Sequence, residues 1–311
     1  MKTVFFGTPG IAAHVLESLI ASKHEVLAVV TQPDRVSGRG REVSEPPVKA
    51  LAAEHNITVL QPEKVNDASF LSELKAIGAE LHVVTAYAQK LPSELLNMAP
   101  AGCINVHPSL LPRYRGAVPI PAAILNGDTV SGVTIMRMAE RMDAGDILLQ
   151  EEIALAPDET TCSLEKKSAE IGSGLLIRAI DMLESGTLTG MAQDESLSTY
   201  VGQLKKEDGL MDFKKSAVRL ERETRAYNPW PGSFTYLEGK LFKIWKAAAL
   251  PDGSAQGPAG EIIYADKKTV KVRCGEGTLE LLEVQLQGKK RMSTEEFLRG
   301  RKIKQGCIFG K

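Results

Sequence analysis

Through residues 1–150 short apolar runs alternate with segments of helical spacing, and that alternation constrains the fold more than any other feature of the chain. Val4-Phe5-Phe6 stops at Gly7-Thr8-Pro9. It is followed by Ile11, Ala12, Val15, Leu16, Leu19 and Ile20, spaced for one face of a helix. Val26 to Val30 reads as a buried strand, Val48 to Glu54 as a helix, and Ile57 to Leu60 as a strand. Phe70, Leu71, Leu74 and Ile77 return to helical spacing before the runs Leu81 to Ala86 and Cys103 to Val106. Strands that alternate with helices pair in parallel while the helices cover both faces. The expected class is α/β, a doubly wound and mostly parallel sheet.

In such sheets ligands bind beyond the carboxyl ends of the strands, near the switch point. That directs attention to Gly7-Thr8-Pro9, Thr31 to Asp34, Ala86-Tyr87 and Asn105-Val106-His107. The first turn is not GxGxxG and no GxxxxGK[ST] occurs, so a dinucleotide fold and a P-loop lose their support. Further on, Val133 to Met138 and Ile147 to Leu155 read as strands, and Ser163 to Leu183 as a long helix ending before Gly186. Residues 190–206 are polar and lack sustained periodicity, as a linker would. Beyond them come a helix over Ala217 to Ala226 and short β-like runs at 234–236, 242–245, 262–264, 270–272 and 279–284. These predict a small β-barrel of the oligonucleotide-binding type, in which Trp230 and Trp245 read as core anchors ahead of stacking platforms. The expected division is 1–189, a linker over 190–206, and 207–311.

The length of 311 residues supports two domains, and 43% hydrophobic with 25% charged residues is ordinary for a globular protein. No window approaches the roughly 18 unbroken apolar residues of a membrane span. The amino-terminal apolar stretch reads as a first strand, too short for a signal peptide. Cys103, Cys162, Cys274 and Cys307 lie far apart and form no CxxC, which argues against a disulfide framework or a metal site and fits the cytoplasm. The net charge of −1 conceals an asymmetry. From Lys205 onward there are 22 Lys+Arg against 14 Asp+Glu, a net of +8, leaving 16 against 25 before it, a net of −9. A basic second part fits a polyanionic partner; simple solvation of a small domain by lysine and arginine explains it equally well on charge alone.

The densest run of special residues is Asn105-Val106-His107-Pro108-Ser109-Leu110-Leu111-Pro112-Arg113-Tyr114-Arg115-Gly116. In an extended segment Asn105 and His107 point to the same side. Pro108 and Pro112 then impose a rigid, non-helical loop. Taken singly, such a histidine is a satisfied polar strand end, and Asp143 downstream is a turn aspartate as readily as an acid or base. Arg35 to Arg41, with three arginines and two glycines after a strand, cannot pack into a core and suits phosphate or RNA contacts; a loop without function is the bland alternative.

The motif Asn-x-His-x-Ser-Leu-Leu-Pro resembles the signature of the tetrahydrofolate-dependent formyltransferases, and Met142 to Ile147 is similar to their second motif, which supplies an aspartate. Thr31 to Arg41 and Arg225 to Pro231 resemble segments of the branch that formylates methionyl-tRNA, and the likeness runs essentially from Lys2 to Lys311. The resemblance implies a Rossmann-like catalytic domain and a tRNA-binding barrel. It implies transfer of the formyl group of 10-formyltetrahydrofolate, as co-substrate and without a metal, to the α-amine of methionine on initiator tRNA. By the same match Asn105, His107 and Asp143 form the catalytic set, Ser109, Leu110, Leu111 and Pro112 contact the folate, and Arg35, Arg39 and Arg41 meet the acceptor stem, with Arg39 matching the key arginine. The chemistry suits these types. Amine attack on a formyl carbon builds negative charge on oxygen, which Asn105 and a protonated His107 can stabilise, while Asp143 can accept the amine proton. Two other functions share part of the pattern. A formyltransferase for a small amine leaves the arginine loop and basic tail unexplained, and a non-catalytic RNA-binding protein leaves the Asn-His-Asp set unexplained. The expected state is a cytoplasmic monomer that does not bind membrane.

Overall fold

The computed structural model describes residues 1–37, 42–250 and 257–310. The chain forms two units. The first comprises 1–119, 130–154 and 165–201, and the second comprises 120–129, 155–164 and 202–311.

Strands β1 (Lys2–Gly7), β2 (Glu25–Val30), β5 (Thr58–Leu60), β6 (Leu81–Thr85) and β7 (Cys103–His107) of the first unit pair in parallel. β9 (Val130–Arg137) and β10 (Ile147–Ala154) extend the sheet antiparallel beyond β7, giving the order β10-β9-β7-β6-β1-β2-β5. The sheet is doubly wound and mostly parallel, as the alternation predicts. β6 and β7 are buried along their whole length, the signature of strands covered on both faces. Helix α1 (Gly10–Ile20) buries Ala12, Val15, Leu16 and Leu19, the stripe read from the sequence. Helices α2 (Pro47–Glu54), α3 (Ala68–Ile77) and α4 (Ser93–Leu96) complete the covering layers with α6 (Thr161–Glu184), and α5 (Pro119–Asn126) begins in this unit.

Two short pairings lie outside the main sheet. β3 (Arg35–Ser37) pairs with β4 (Glu42–Ser44), so the first three residues of the arginine loop Arg35 to Arg41 are strand-paired. β8 (Arg115–Gly116) pairs in parallel with β11 (Tyr200–Val201). Residues 190–201, read as part of a linker, therefore belong to the first unit.

The second unit is an antiparallel sheet curled into a half-barrel, ordered β12 (Phe234–Leu237), β13 (Lys240–Leu250), β16 (Thr278–Leu286), β15 (Val270–Arg273), β14 (Ile262–Ala265), with β17 (Met292–Ser293) on β16. Register shifts on β13 around Lys246 mark bulges, which bend a strand and promote curling. In its core Phe213 stacks on Phe309, Phe309 meets Phe242 at a tilt and Phe242 meets Phe297 edge-on, packed with Ile244, Leu279 and Val284. The tryptophans are not core anchors. Alternation along β13 buries Phe242 and Ile244 and turns Lys243 and Trp245 outward, and Trp230 is 55% exposed. Helix α7 (Ala217–Ala226) draws distant segments into the unit: Arg219, Arg222 and Arg225 donate to the carbonyls of Leu125, Asn126 and Glu159 at 2.9, 3.1 and 3.0 Å. Helix α8 (Thr294–Gly300) starts at a capping box between Ser293 and Glu296.

Candidate active site

Strand alternation on β7 sets the site. Val106 points at α6, where a Cβ added at Gly172 would lie 2.9 Å from its Cγ1, so Asn105 and His107 face the opposite side. Both are buried, at 8% and 4% exposure. Among the described residues the Asn105 side-chain amide has no hydrogen-bond partner. The residue is 8% exposed, yet its amide atoms are not among the fully enclosed unpartnered ones, so the amide keeps access to solvent and stays available to a ligand.

His107 is held at one nitrogen. Its Nε2–H donates to the Tyr114 carbonyl at 3.0 Å, leaving Nδ1 to face Asp143 Oδ2 at 3.8 Å. That gap is too long for a direct hydrogen bond, and the Asp143 side chain is only 13% exposed. Asp143 has φ +49°, a left-handed conformation unusual for a residue with a Cβ. Its Oδ2 accepts the Gly116 N–H at 2.7 Å. Gly116 must be glycine here: φ is +112° and a Cβ would sit 2.2 Å from the Val201 carbonyl. Gly145, two residues beyond Asp143, is equally obligatory, since a Cβ would meet the Arg137 carbonyl at 1.8 Å.

The loop after His107 is consolidated from within. Ser109 Oγ donates to the Arg113 carbonyl at 2.7 Å, and Thr134 Oγ1 donates to the Ser109 carbonyl at 2.6 Å. Thr134 Oγ1 also accepts the Leu111 N–H at 3.1 Å, and Gln150 Nε2 donates to the Leu111 carbonyl at 2.8 Å. The polar groups of Ser109 and Leu111 are thus engaged by the protein itself, and Leu111 is buried. Leu110 and Pro112 keep half-buried side chains. The Leu111–Pro112 peptide is cis.

Of the residues predicted from sequence, Asn105, His107 and Asp143 come together, with Ser109 to Pro112 on the adjoining loop. Arg35 lies on β3, exposed, with its guanidinium 3.5 Å from Gln32 Oε1. Arg39 and Arg41 lie outside the described residues. Sequence reasoning missed Thr134, Gln150 and Gln193. Each acts by bonding a backbone atom remote in the chain, which leaves no local pattern. It also assigned no role to Arg115, although that residue sits inside the quoted motif. Arg115 is 0% exposed, and the Glu195 carboxylate beside it, followed by the Tyr200 hydroxyl, holds its guanidinium above the ordinary range.

Comparison with known proteins finds relatives along the whole chain. The formyl transferase family model matches residues 1–180, and the formyl transferase C-terminal domain model matches residues 203–302. A methionyl-tRNA formyltransferase of Lachnospira eligens is 46% identical over 314 residues, covering 100% of each chain. Among solved structures, an N-formyltransferase from Helicobacter canadensis in complex with folinic acid and dTDP-3-aminofucose superposes with a TM-score of 0.66 at 17% identity, over 94% of this chain and 100% of that one. HypX from Aquifex aeolicus in complex with tetrahydrofolic acid gives a TM-score of 0.64 at 17% identity. That match covers 96% of this chain but 47% of HypX, so the chain spans about half of that protein. At such identities the two structures bear on the fold alone. The matched domain models and the full-length likeness together show that the chain belongs to the formyltransferase family, in its methionyl-tRNA formyltransferase branch.

Proposed function

We infer that this protein transfers the formyl group of 10-formyltetrahydrofolate to the α-amino group of methionine on initiator tRNA. The observation that carries the reading is the unpartnered side-chain amide of Asn105, a residue only 8% exposed, on the same side of β7 as His107, whose Nδ1 lies 3.8 Å from Asp143 Oδ2. A folate suits these residues. The free amide can meet a formyl oxygen, and the half-buried Leu110 and Pro112 offer apolar contact to a flat ring, with Ser109 and Leu111 holding the loop beneath them.

The bound folate supplies an activated formyl carbon on nitrogen. Asn105 donates its amide N–H to the oxygen that gains charge as the amine attacks, an interaction whose removal typically costs a factor of roughly 100–1,000 in turnover. His107 adds charge-assisted stabilisation. With Nε2–H committed to the Tyr114 carbonyl, Nδ1 is the atom at which a proton is held or released. Asp143, fixed through Gly116 and 3.8 Å from His107 Nδ1, takes the proton shed by the amine, directly or through one water, as the new carbon–nitrogen bond forms. The bond from the formyl carbon to the folate nitrogen then breaks, and that nitrogen takes up a proton as tetrahydrofolate leaves.

The basic stretch 207–311 is assigned the tRNA grip, with Lys243 and Arg291 stacked on the outward-facing Trp245 at 4.9 and 5.2 Å from its ring centre. Arg35, Arg39 and Arg41 are assigned the acceptor stem, and the protein is assigned to the cytoplasm as a monomer. No helix among the described residues is long and apolar enough to cross a membrane. Incubation with 10-formyltetrahydrofolate and charged initiator tRNA, charged elongator tRNA or free small amines tests the reading. Formylation confined to initiator Met-tRNA is expected, and equal formylation of a free amine would overturn it.

A further inference from the structure

We propose that Gln193, oriented by the buried guanidinium of Arg115, is a positioning residue for Asp143; the proposal rests on the catalytic reading of Asp143 given above. The side-chain amide of Gln193 spends both of its hydrogens on one turn. Nε2 donates to the Asp143 carbonyl at 2.8 Å and to the Gly145 carbonyl at 2.7 Å. Its oxygen receives two donors from Arg115, Nε at 3.1 Å and Nη2 at 2.9 Å. The amide therefore has one workable orientation, since a flip would set its oxygen against two carbonyls and its hydrogens against a guanidinium.

Arg115 is itself over-determined. Its remaining donors go to Glu195 at 2.9 and 3.2 Å and to the Tyr200 hydroxyl at 2.9 Å, and its own N–H donates to the Thr199 carbonyl at 2.8 Å. Glu195 also pairs with Arg141 at 2.8 Å, two residues before Asp143. The residue after Arg115 is Gly116, whose N–H holds the Asp143 carboxylate. One short strand thus controls both ends of Asp143: its main chain through Gln193 and its carboxylate through Gly116. Aspartate tolerates a left-handed backbone better than most residues with a Cβ, but φ of +49° still carries a steric cost, so bonds from outside the turn help to hold it. A carboxylate that drifts by about 1 Å loses its alignment with His107, and misplacement of that size can cost about 100-fold in rate.

Gln193→Glu tests this, since it keeps the shape and the acceptor for Arg115 but cannot donate to the two carbonyls. Steady-state kinetics should show kcat lowered about 10- to 100-fold with KM for Met-tRNA and for the formyl donor within about threefold. In the Asp143→Ala background the same change should cost less than about twofold, because a residue that acts only through Asp143 has nothing left to position. Gln193→Met, also unable to donate, carries the same test should the glutamate variant fail to fold by circular dichroism. Losses that multiply in the double variant, or a single variant with wild-type kcat while Asp143→Ala is impaired, would overturn the positioning role alone. An Asp143→Ala enzyme with wild-type turnover would overturn the catalytic reading and this role with it.

Discussion

The two units differ in where they hold the polar residues assigned to function. In the first, Asn105, His107, Asp143 and Arg115 are buried or nearly so, and all but Asn105 are held by named partners at short range. In the second, Arg273 is buried against Glu261, but the cations assigned to the tRNA grip lie outside the core. Lys243 and Arg291 rest on Trp245, Lys271 rests on Tyr264, and Lys246 is exposed. Chemistry at one carbon requires groups fixed to fractions of an ångström in a dry setting. Grip on a polyanion requires only enough positive charge over an area, summed across many weak contacts. Substitution in the first unit should therefore be all-or-nothing, and in the second graded.

The largest expected effect is on turnover. His107→Ala and Asp143→Ala should each lower turnover by at least about 100-fold while leaving circular dichroism unchanged. Turnover within tenfold of wild type for either would break the contrast, because the fixed constellation would then behave like the diffuse one.

Acid provides the next test, since all five histidines fall before residue 119 and therefore in the first unit. His82 on β6 is buried, and burial pushes it down to about 4 despite the hydrogen bond from its Nδ1 to the Leu95 carbonyl. A group whose folded pKa lies below its unfolded value favours folding only while it is neutral. Its contribution is complete above about pH 6.5 and is lost as pH falls toward 4, a total of about 3 kcal/mol. The melting temperature of the first unit should thus fall between pH 7 and pH 5, and His82→Gln should flatten that dependence. Both tryptophans lie in the second unit, so fluorescence-detected melting should move less than melting followed by circular dichroism. Identical shifts would mean that the units melt as one.

The smallest effects belong to the basic surface. Lys243→Ala and Lys246→Ala should each weaken tRNA binding only a few-fold and reduce the slope of log affinity against log salt by up to about 0.9. A tenfold loss with an unchanged slope would indicate a specific contact and would sharpen the comparison by moving that residue out of the diffuse class.

The same contrast explains what the sequence disclosed. The parallel sheet was legible because strands buried on both faces must be apolar runs, and β6 and β7 are. Asn105 and His107 stood out through the dense run of special residues around them and its resemblance to the formyltransferase signature, since a histidine at a strand end taken singly has a bland explanation. The outward turn of Trp245 was not, because it follows from alternation and bulges on β13 that depend on pairing with β16. Helix α8 is 7 residues long, too short for periodicity to register, although Ser293 and Glu296 carry the spacing of its capping box. Gln193 was read as linker because its partners, Asp143 and Gly145, are 50 and 48 residues away. The helix over Ala217 to Ala226 was legible but the role of its Arg219, Arg222 and Arg225 was not, because they bind carbonyls of segments 120–129 and 155–164. Removing residues 207–311 would strip those carbonyls of their donors, so the division of labour is better tested in the intact chain.

Asn105 offers that test most directly, because its amide has no structural bond to lose. With Asn105→Ala, the single-turnover rate of formyl transfer to initiator Met-tRNA and the tRNA dissociation constant should be measured on the same preparation. The account predicts a rate lowered by about 100-fold or more with tRNA affinity within about twofold of wild type. A variant that keeps its rate, or one that loses affinity in step with rate, would contradict the separation of chemistry from grip.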